Sequence, residues 1–170
     1  MKEKDIIIRP FVLEDIYSLA KFANNKKISQ NMRDTFPNPY SEKDAENIIK
    51  RWIAETPNTV FAIEKNGIHV GNVGLHPQED IKRKSVELGY IISEEYWNQG
   101  IATEAVQQVI EFGFSNLDIV RIFASVFDYN IASQKVLLKN GFLKEGIAKS
   151  AVYKMGKNWD EHLFGLVKTS

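Results

Sequence analysis

A mixed α/β fold, with a mostly antiparallel central sheet and helices on both of its faces, is what this sequence predicts, and three observations carry the prediction. Lys65-Asn66-Gly67 stands between two apolar runs, and Asn-Gly in that setting is the strongest short-range signal for a β-hairpin. Across Glu87–Ala105 the hydrophobic period changes from two to 3.6, which reads as strand, short loop, helix. Ile119 to Phe127 then alternates again, so a strand-helix-strand crossover follows the hairpin.

The elements follow in order. Ile6-Ile7-Ile8 reads as a first strand, stopped at Arg9-Pro10. Ile16, Leu19, Ala20 and Ala23 share one stripe of a first helix that ends near Asn24-Asn25. Arg33 to Tyr40 contains Pro37 and Pro39 and is a loop; Phe36 reads as tucked into the core, whereas Tyr40 suits either the core or a substrate entrance. Ser41-x-x-Asp44 is a capping pattern for a second helix, with Ala45, Ile48, Ile49, Trp52 and Ile53 on its apolar face. Thr59–Glu64 and Ile68–Leu75 form the hairpin, and Ser85–Ile92 extends the meander. In that third strand Val86, Leu88, Tyr90 and Ile92 lie on one side, Glu87, Gly89 and Ile91 on the other. Ala102, Ala105, Val106, Val109 and Ile110 recur at helical spacing. Ala132 to Asn140 is a short helix ended by Gly141, and Ile147–Tyr153 with His162–Val167 close the sheet around a Met155-Gly156-Lys157 turn. No repeat, low-complexity tract or linker interrupts this order, so residues 1–170 read as one domain.

Composition narrows the function. Hydrophobic residues at 44% and charged residues at 26% are ordinary for a soluble globular protein. Lys plus Arg equals Asp plus Glu, 22 of each, so no overall basic field recommends a nucleic-acid partner, and Lys82-Arg83-Lys84 reads as a solvated loop. The absence of cysteine removes disulfides, thiolate metal sites and a cysteine nucleophile. His69, His76 and His162 lack the close spacing of a metal site and read as surface or satisfied residues, so no metal is expected. Met1-Lys2-Glu3-Lys4-Asp5 is charged and the isoleucines after it are too few for a signal peptide; no stretch approaches a membrane span, and a cytoplasmic protein without a membrane partner is the expectation.

Trp97-Asn98-Gln99-Gly100-Ile101-Ala102 places a glycine and then slim residues where a helix begins. A helix N-terminus presents N–H groups and a partial positive charge, so a backbone that can be approached closely there suits a phosphate; the same glycine also reads as a plain turn. Neither a Gly-Lys-Ser/Thr P-loop nor a GxGxxG after a strand is present.

This loop resembles the acetyl-CoA signature Q/R-x-x-G-x-G/A of the GNAT superfamily of N-acetyltransferases, with Trp97 in place of the leading Gln or Arg and Gly100-Ile101-Ala102-Thr103-Glu104-Ala105 as its usual continuation. Asn130-Ile131-Ala132-Ser133, followed by Lys135-Val136-Leu137-Leu138-Lys139-Asn140-Gly141-Phe142, resembles the N-x-x-S…K-x-G-F block of the ribosomal-protein N-terminal (RimJ/RimL-like) branch. Ile8-Arg9-Pro10 and Pro39-Tyr40-Ser41…Asp44-Ala45 extend the resemblance over nearly the whole chain. It implies a GNAT-like sheet in which Ser85–Ile92 and Ile119–Phe127 splay apart. The pantetheine arm of acetyl-CoA would lie in that gap against the main chain of Tyr90, Ile91 and Ile92, with the phosphates at Trp97, Asn98, Gln99, Gly100, Ile101, Ala102 and Thr103. It implies acetyl-CoA as co-substrate, an amine acceptor that attacks the thioester directly, and a monomer or homodimer.

Direct transfer needs a neutral amine, a polarised carbonyl and a proton for the departing thiolate. Several family members carry an acidic residue where this chain has Glu87, which makes it the candidate base, directly or through water; the alternative is a solvated glutamate on the outer face of a strand. Serine is frequent in this branch at the place of Ser133, the candidate donor to the thiolate; the alternative is a helix residue capped by Asn130, which would both cap and touch the pantetheine arm. Many members have a tyrosine acid where this chain has Leu137, which shifts that role to Ser133, with Tyr129 and Tyr153 as substitutes. An α-amine with pKa about 7.7 is partly neutral at pH 7, whereas a lysine-like amine near 10.4 needs almost 4 kcal/mol more help. A lone glutamate therefore suits a protein or peptide N-terminus as acceptor. Polyamines, antibiotics and amino acids stay open, as does a CoA-binding module without catalysis.

Overall fold

Seven strands and five helices are present in the computed structural model, which describes residues 5–170; the charged Met1–Lys4 lies outside the described residues. The order is β1 (Ile6–Arg9), α1 (Asp15–Ala23), α2 (Lys26–Ser29), α3 (Glu42–Ala54), β2 (Val60–Lys65), β3 (Ile68–Pro77), β4 (Ser85–Ile92), α4 (Ile101–Asn116), β5 (Arg121–Phe127), α5 (Ile131–Lys139), β6 (Leu143–Lys154) and β7 (Lys157–Val167). The strands lie in the sheet order β1-β2-β3-β4-β5-β7-β6. β1–β2, β2–β3, β5–β7 and β6–β7 are antiparallel, while β4 and β5, joined through α4, are parallel. The β4–β5 register covers Ser85–Glu87 against Arg121–Phe123, only the first three residues of each strand.

Local chemistry explains most of these boundaries. Asn66 and Gly67 take φ of 49° and 81°, the left-handed pair that a tight hairpin turn requires. At the start of α3 the Asp44 N–H donates to Ser41 Oγ at 3.1 Å and the Ser41 N–H donates to Asp44 Oδ2 at 2.8 Å, a complete capping box. Two differences from the sequence reading stand out. α2 is a single turn started by Asn25, whose Oδ1 accepts from the Lys27 N–H at 2.8 Å; four residues are too few to show a period. β6 and β7 begin before the expected Ile147 and His162, because β6 is a mostly exposed edge strand with register shifts at Lys144/Gly146 and Ala148/Val152, which break the alternation.

Among the described residues, those up to Gly74 with Tyr90–Val109 form one compact unit, and Leu75–Gly89 with Ile110–Ser170 another. The first has its core in Phe11, Leu19, Ala45, Ile49, Ala62 and Ile91, with Phe36 packed against it. Tyr40 is 8% exposed and 5.1 Å from the Phe36 ring, so this tyrosine belongs to the core. The second is built on Leu75, Val86, Ile122, Leu137, Phe142 and Phe164.

A polar cluster interrupts the first core. Asp15, 4% exposed, accepts from Arg9 Nη1 and Nη2 at 2.8 and 2.9 Å and from the Val12 N–H at 3.0 Å. His69 lies edge-on to Phe11 and Phe22, with Nδ1 2.6 Å from Ser18 Oγ and 3.6 Å from Asp15 Oδ1. Burial holds the His69 pKa below its ordinary value. Burial also opposes ionisation of Asp15, but the Arg9 guanidinium and the Val12 N–H outweigh it and hold the carboxyl below the usual range. For both groups the unfolded chain binds more protons than the folded one between the two pKa values, so stability rises with pH across those windows and is lost as pH falls. Acidification is expected to lower Tm from about pH 6.5 downward through His69 and from about pH 4 through Asp15. His69→Gln should flatten the segment between pH 7 and 5, whatever it costs at neutral pH; a wild-type Tm constant over that range would contradict the assignment.

Candidate functional site

The turn before α4 is held from both sides. Trp97 Nε1 donates to the Ile92 carbonyl at 2.8 Å, so the indole ties the loop back to the end of β4. Gln99 Nε2 donates to the Glu95 carbonyl at 3.4 Å, and Gln99 Oε1 accepts from Lys65 Nζ at 2.5 Å, with Lys65 standing 5.9 Å from the Tyr96 ring centre. Asn98 and Gly100 take φ of 60° and 76°.

A Cβ built on Gly100 meets nothing within 4 Å, so the protein leaves the space in front of the helix open. Ile101, 1% exposed, anchors the first turn in the core. The helix ladder begins with the Glu104 N–H donating to the Gly100 carbonyl at 3.1 Å, and the N–H groups of Ile101, Ala102 and Thr103 lie ahead of it. With the positive end of a 16-residue helix behind them, this is a fitting environment for a phosphate.

The β4 main chain is directed in two ways. A Cβ on Gly71 would lie 2.4 Å from the Ile91 carbonyl oxygen, and the Ser93 N–H donates to the Val70 carbonyl at 2.8 Å. Ile91 and Ser93 thus turn their peptide groups toward β3, and alternation turns those of Tyr90 and Ile92 to the opposite edge. Of the three residues expected to pair with pantetheine, two face that edge, and the Ile92 carbonyl already accepts the indole N–H.

The other expected residues belong to the second unit. Glu87 is half-buried, in register with Phe123, between Val86 and Leu88 whose side chains are buried on the opposite side of the strand. It is neither fully solvated nor sealed away. Asn130 caps α5 as expected, its Oδ1 accepting from the Ser133 N–H at 3.3 Å. That cap engages the Ser133 main-chain N–H. Leu137, where the resemblance would put a tyrosine, is fully buried. Tyr129 packs at 5.3 Å on Phe127 and 4.7 Å on Trp159, and burial pushes its phenol pKa up; Tyr153 is 68% exposed. Burial pushes the Tyr40 phenol pKa up to about 12.

Lys65 is the residue of this loop that sequence reasoning missed, since it sits 34 positions from Gln99 at a hairpin end that shows only as a turn. Among the described residues no group of three His, Asp or Glu could hold a metal ion, and no helix is long and apolar enough to cross a membrane.

The family model of the acetyltransferase (GNAT) domain matches residues 5–143. The uncharacterized N-acetyltransferase YoaA of Bacillus subtilis is 32% identical over 98% of this chain and 89% of its own length. Among solved structures, RimL, a ribosomal L7/L12 alpha-N-protein acetyltransferase in complex with coenzyme A, superposes with a TM-score of 0.85 at 21% identity, covering 97% of this chain and 95% of its own. Spermidine N-acetyltransferase from Vibrio cholerae, in complex with CoA and spermine, gives 0.82 at 20% identity over 97% and 96%.

Proposed function

The chain belongs to the GNAT acetyltransferase family, and from that membership we propose that residues 1–170 act as one domain moving the acetyl group of acetyl-CoA to a primary amine, the N-terminal α-amine of a protein or peptide. The observation that carries the co-substrate is the left-handed Gly100, open to approach at the front of α4. The RimL structure, whose fold this chain shares, was solved with coenzyme A and supports the same reading.

Acetyl-CoA supplies the thioester carbonyl; the chain supplies placement and proton handling. The loop Trp97–Thr103 cradles the phosphates, with Gly100 giving access and Ile101, Ala102 and Thr103 offering N–H groups. Tyr90 and Ile92 offer main-chain pairing to the pantetheine arm from the edge of β4 away from β3, and Asn130 touches it from the cap of α5. Glu87 takes the proton of the acceptor amine. Ser133 gives a hydrogen bond or proton to the departing thiolate.

A polyamine acceptor is the second reading, favoured by the comparable match to a spermidine N-acetyltransferase. The α-amine is preferred because it needs less deprotonation than a polyamine. Incubation with acetyl-CoA and peptides with free or blocked N-termini, spermidine, spermine, an aminoglycoside and free amino acids, followed by free thiol, separates the two. Free-N-terminus peptides should release thiol at pH 7 and blocked ones should not. Release with spermidine or spermine alone would establish the second reading, and no release with any amine would overturn the proposal. Ser133→Ala should lower kcat about 10-fold with CoA affinity within about twofold; an unchanged kcat would leave Ser133 with helix geometry alone.

A further inference from the structure

His76 is the side chain near the proposed base that nothing above employs. It lies in β3, and its imidazole sits across Gly89 of β4: a Cβ on Gly89 would be 3.4 Å from His76 Nε2 and 3.7 Å from Cδ2. A methyl there would already touch the ring, and a larger side chain would displace it. Residues two apart on a strand share a face, so Gly89 and Glu87 present to the same side, about 6.6 Å apart along β4. Glu87 is the titratable side chain among Ser85, Glu87 and Gly89, the β4 residues of that face in this unit. The imidazole is exposed to solvent, whereas Glu87 is half-buried.

We propose that His76 is the second proton-handling residue of acetyl transfer, accepting from Glu87 the proton of the acceptor ammonium and releasing it to water. The inference rests on the acetyl-transfer reading above. In the balanced reaction the amine nitrogen forms a bond to the acetyl carbon, the carbon–sulfur bond breaks with its electron pair on sulfur, and the ammonium loses two protons. One of them ends on the thiolate and the other leaves the protein. An α-ammonium with pKa about 7.7 gives its proton to an ordinary carboxylate near 4.3 at a disadvantage of roughly 2,500-fold, but to an ordinary imidazole near 6.5 at only about 16-fold. A solvent-facing imidazole beside a half-buried carboxylate therefore offers both a better acceptor and an exit.

The test uses the full chain and its His76→Gln variant, measuring kcat/KM for a free-N-terminus peptide from pH 6 to 9.5 together with the KM for acetyl-CoA. At pH 7 the variant should be at least about 30-fold slower, the deficit should shrink below about 3-fold by pH 9 as the amine becomes neutral unaided, and the acetyl-CoA KM should stay within about twofold. A deficit equal at every pH, or none, would overturn the proposal. A second measurement needs no turnover: the NMR titration of the His76 ring should move down by about half a unit in Glu87→Gln, and an unmoved titration would equally overturn it. A wild-type protein that releases no thiol with any amine while its His76 titration still answers to Glu87 would locate the failure in the acetyl-transfer reading, not in the coupling of the two side chains.

Discussion

Valine in place of Gly100 is expected to weaken CoA binding by about 100-fold, roughly 2.7 kcal/mol, while costing the fold about 1–2 kcal/mol. The stability cost arises in the backbone, because φ at this position is 76° and a β-branched residue resists that conformation. It does not arise from crowding, since a Cβ there has nothing within 4 Å. The same emptiness lies ahead of the α4 ladder, where a diphosphate would have to approach the N–H groups. Strain and obstruction can be told apart. Gly156, in the β6–β7 turn, has φ of 79° and an equally open Cβ position, so Gly156→Val carries matched strain and should leave CoA binding within about twofold. Asparagine tolerates the left-handed region better than valine, so Gly100→Asn should melt near wild type yet still bind weakly. Calorimetry with CoA decides: Gly100→Asn that binds as tightly as wild type would mean that the nucleotide goes elsewhere.

Hydrophobic period alone is enough to place β4 and α4, because each buries one face and the other face tolerates polarity; Val86 and Leu88 are buried while Glu87 is not. It fails for β6, where exposure on an edge strand removes the pressure to alternate and two register shifts change the phase. The glycine turn ahead of α4 was legible for a similar reason: a glycine before a helical stripe is a local signal, and Gly100 takes φ of 76° there. What holds that turn in place was not. The Trp97 bond to the Ile92 carbonyl depends on the short 3-10 turn Glu94–Tyr96 folding the indole back, and Lys65 arrives from another hairpin. The histidines show the limit of composition. His69, with its side chain 4% exposed, and His162, 2.6 Å from Asp128 Oδ1 through Nε2, are both buried with a ring nitrogen engaged. No spacing along the chain distinguishes them from the exposed His76.

Glutamine at position 87 is expected to lower kcat about 100-fold at pH 7, with the acetyl-CoA KM within about twofold and Tm nearly unchanged. The substitution keeps volume and hydrogen-bonding reach in a half-buried strand position, so no cavity opens. What it removes is the ability to take a proton. The deficit should therefore narrow as pH rises through the amine pKa, where a growing fraction of acceptor arrives neutral. A loss independent of pH would indicate that the carboxylate orients the amine. The double variant with His76→Gln then asks whether both side chains serve one proton path. On a shared path, breaking the second link costs nothing once the first is broken, so the double variant should be no slower than the slower single. Losses that multiply would assign the two residues to separate steps, and wild-type kcat in Glu87→Gln from pH 6 to 8 would return Glu87 to the role of a strand residue facing solvent.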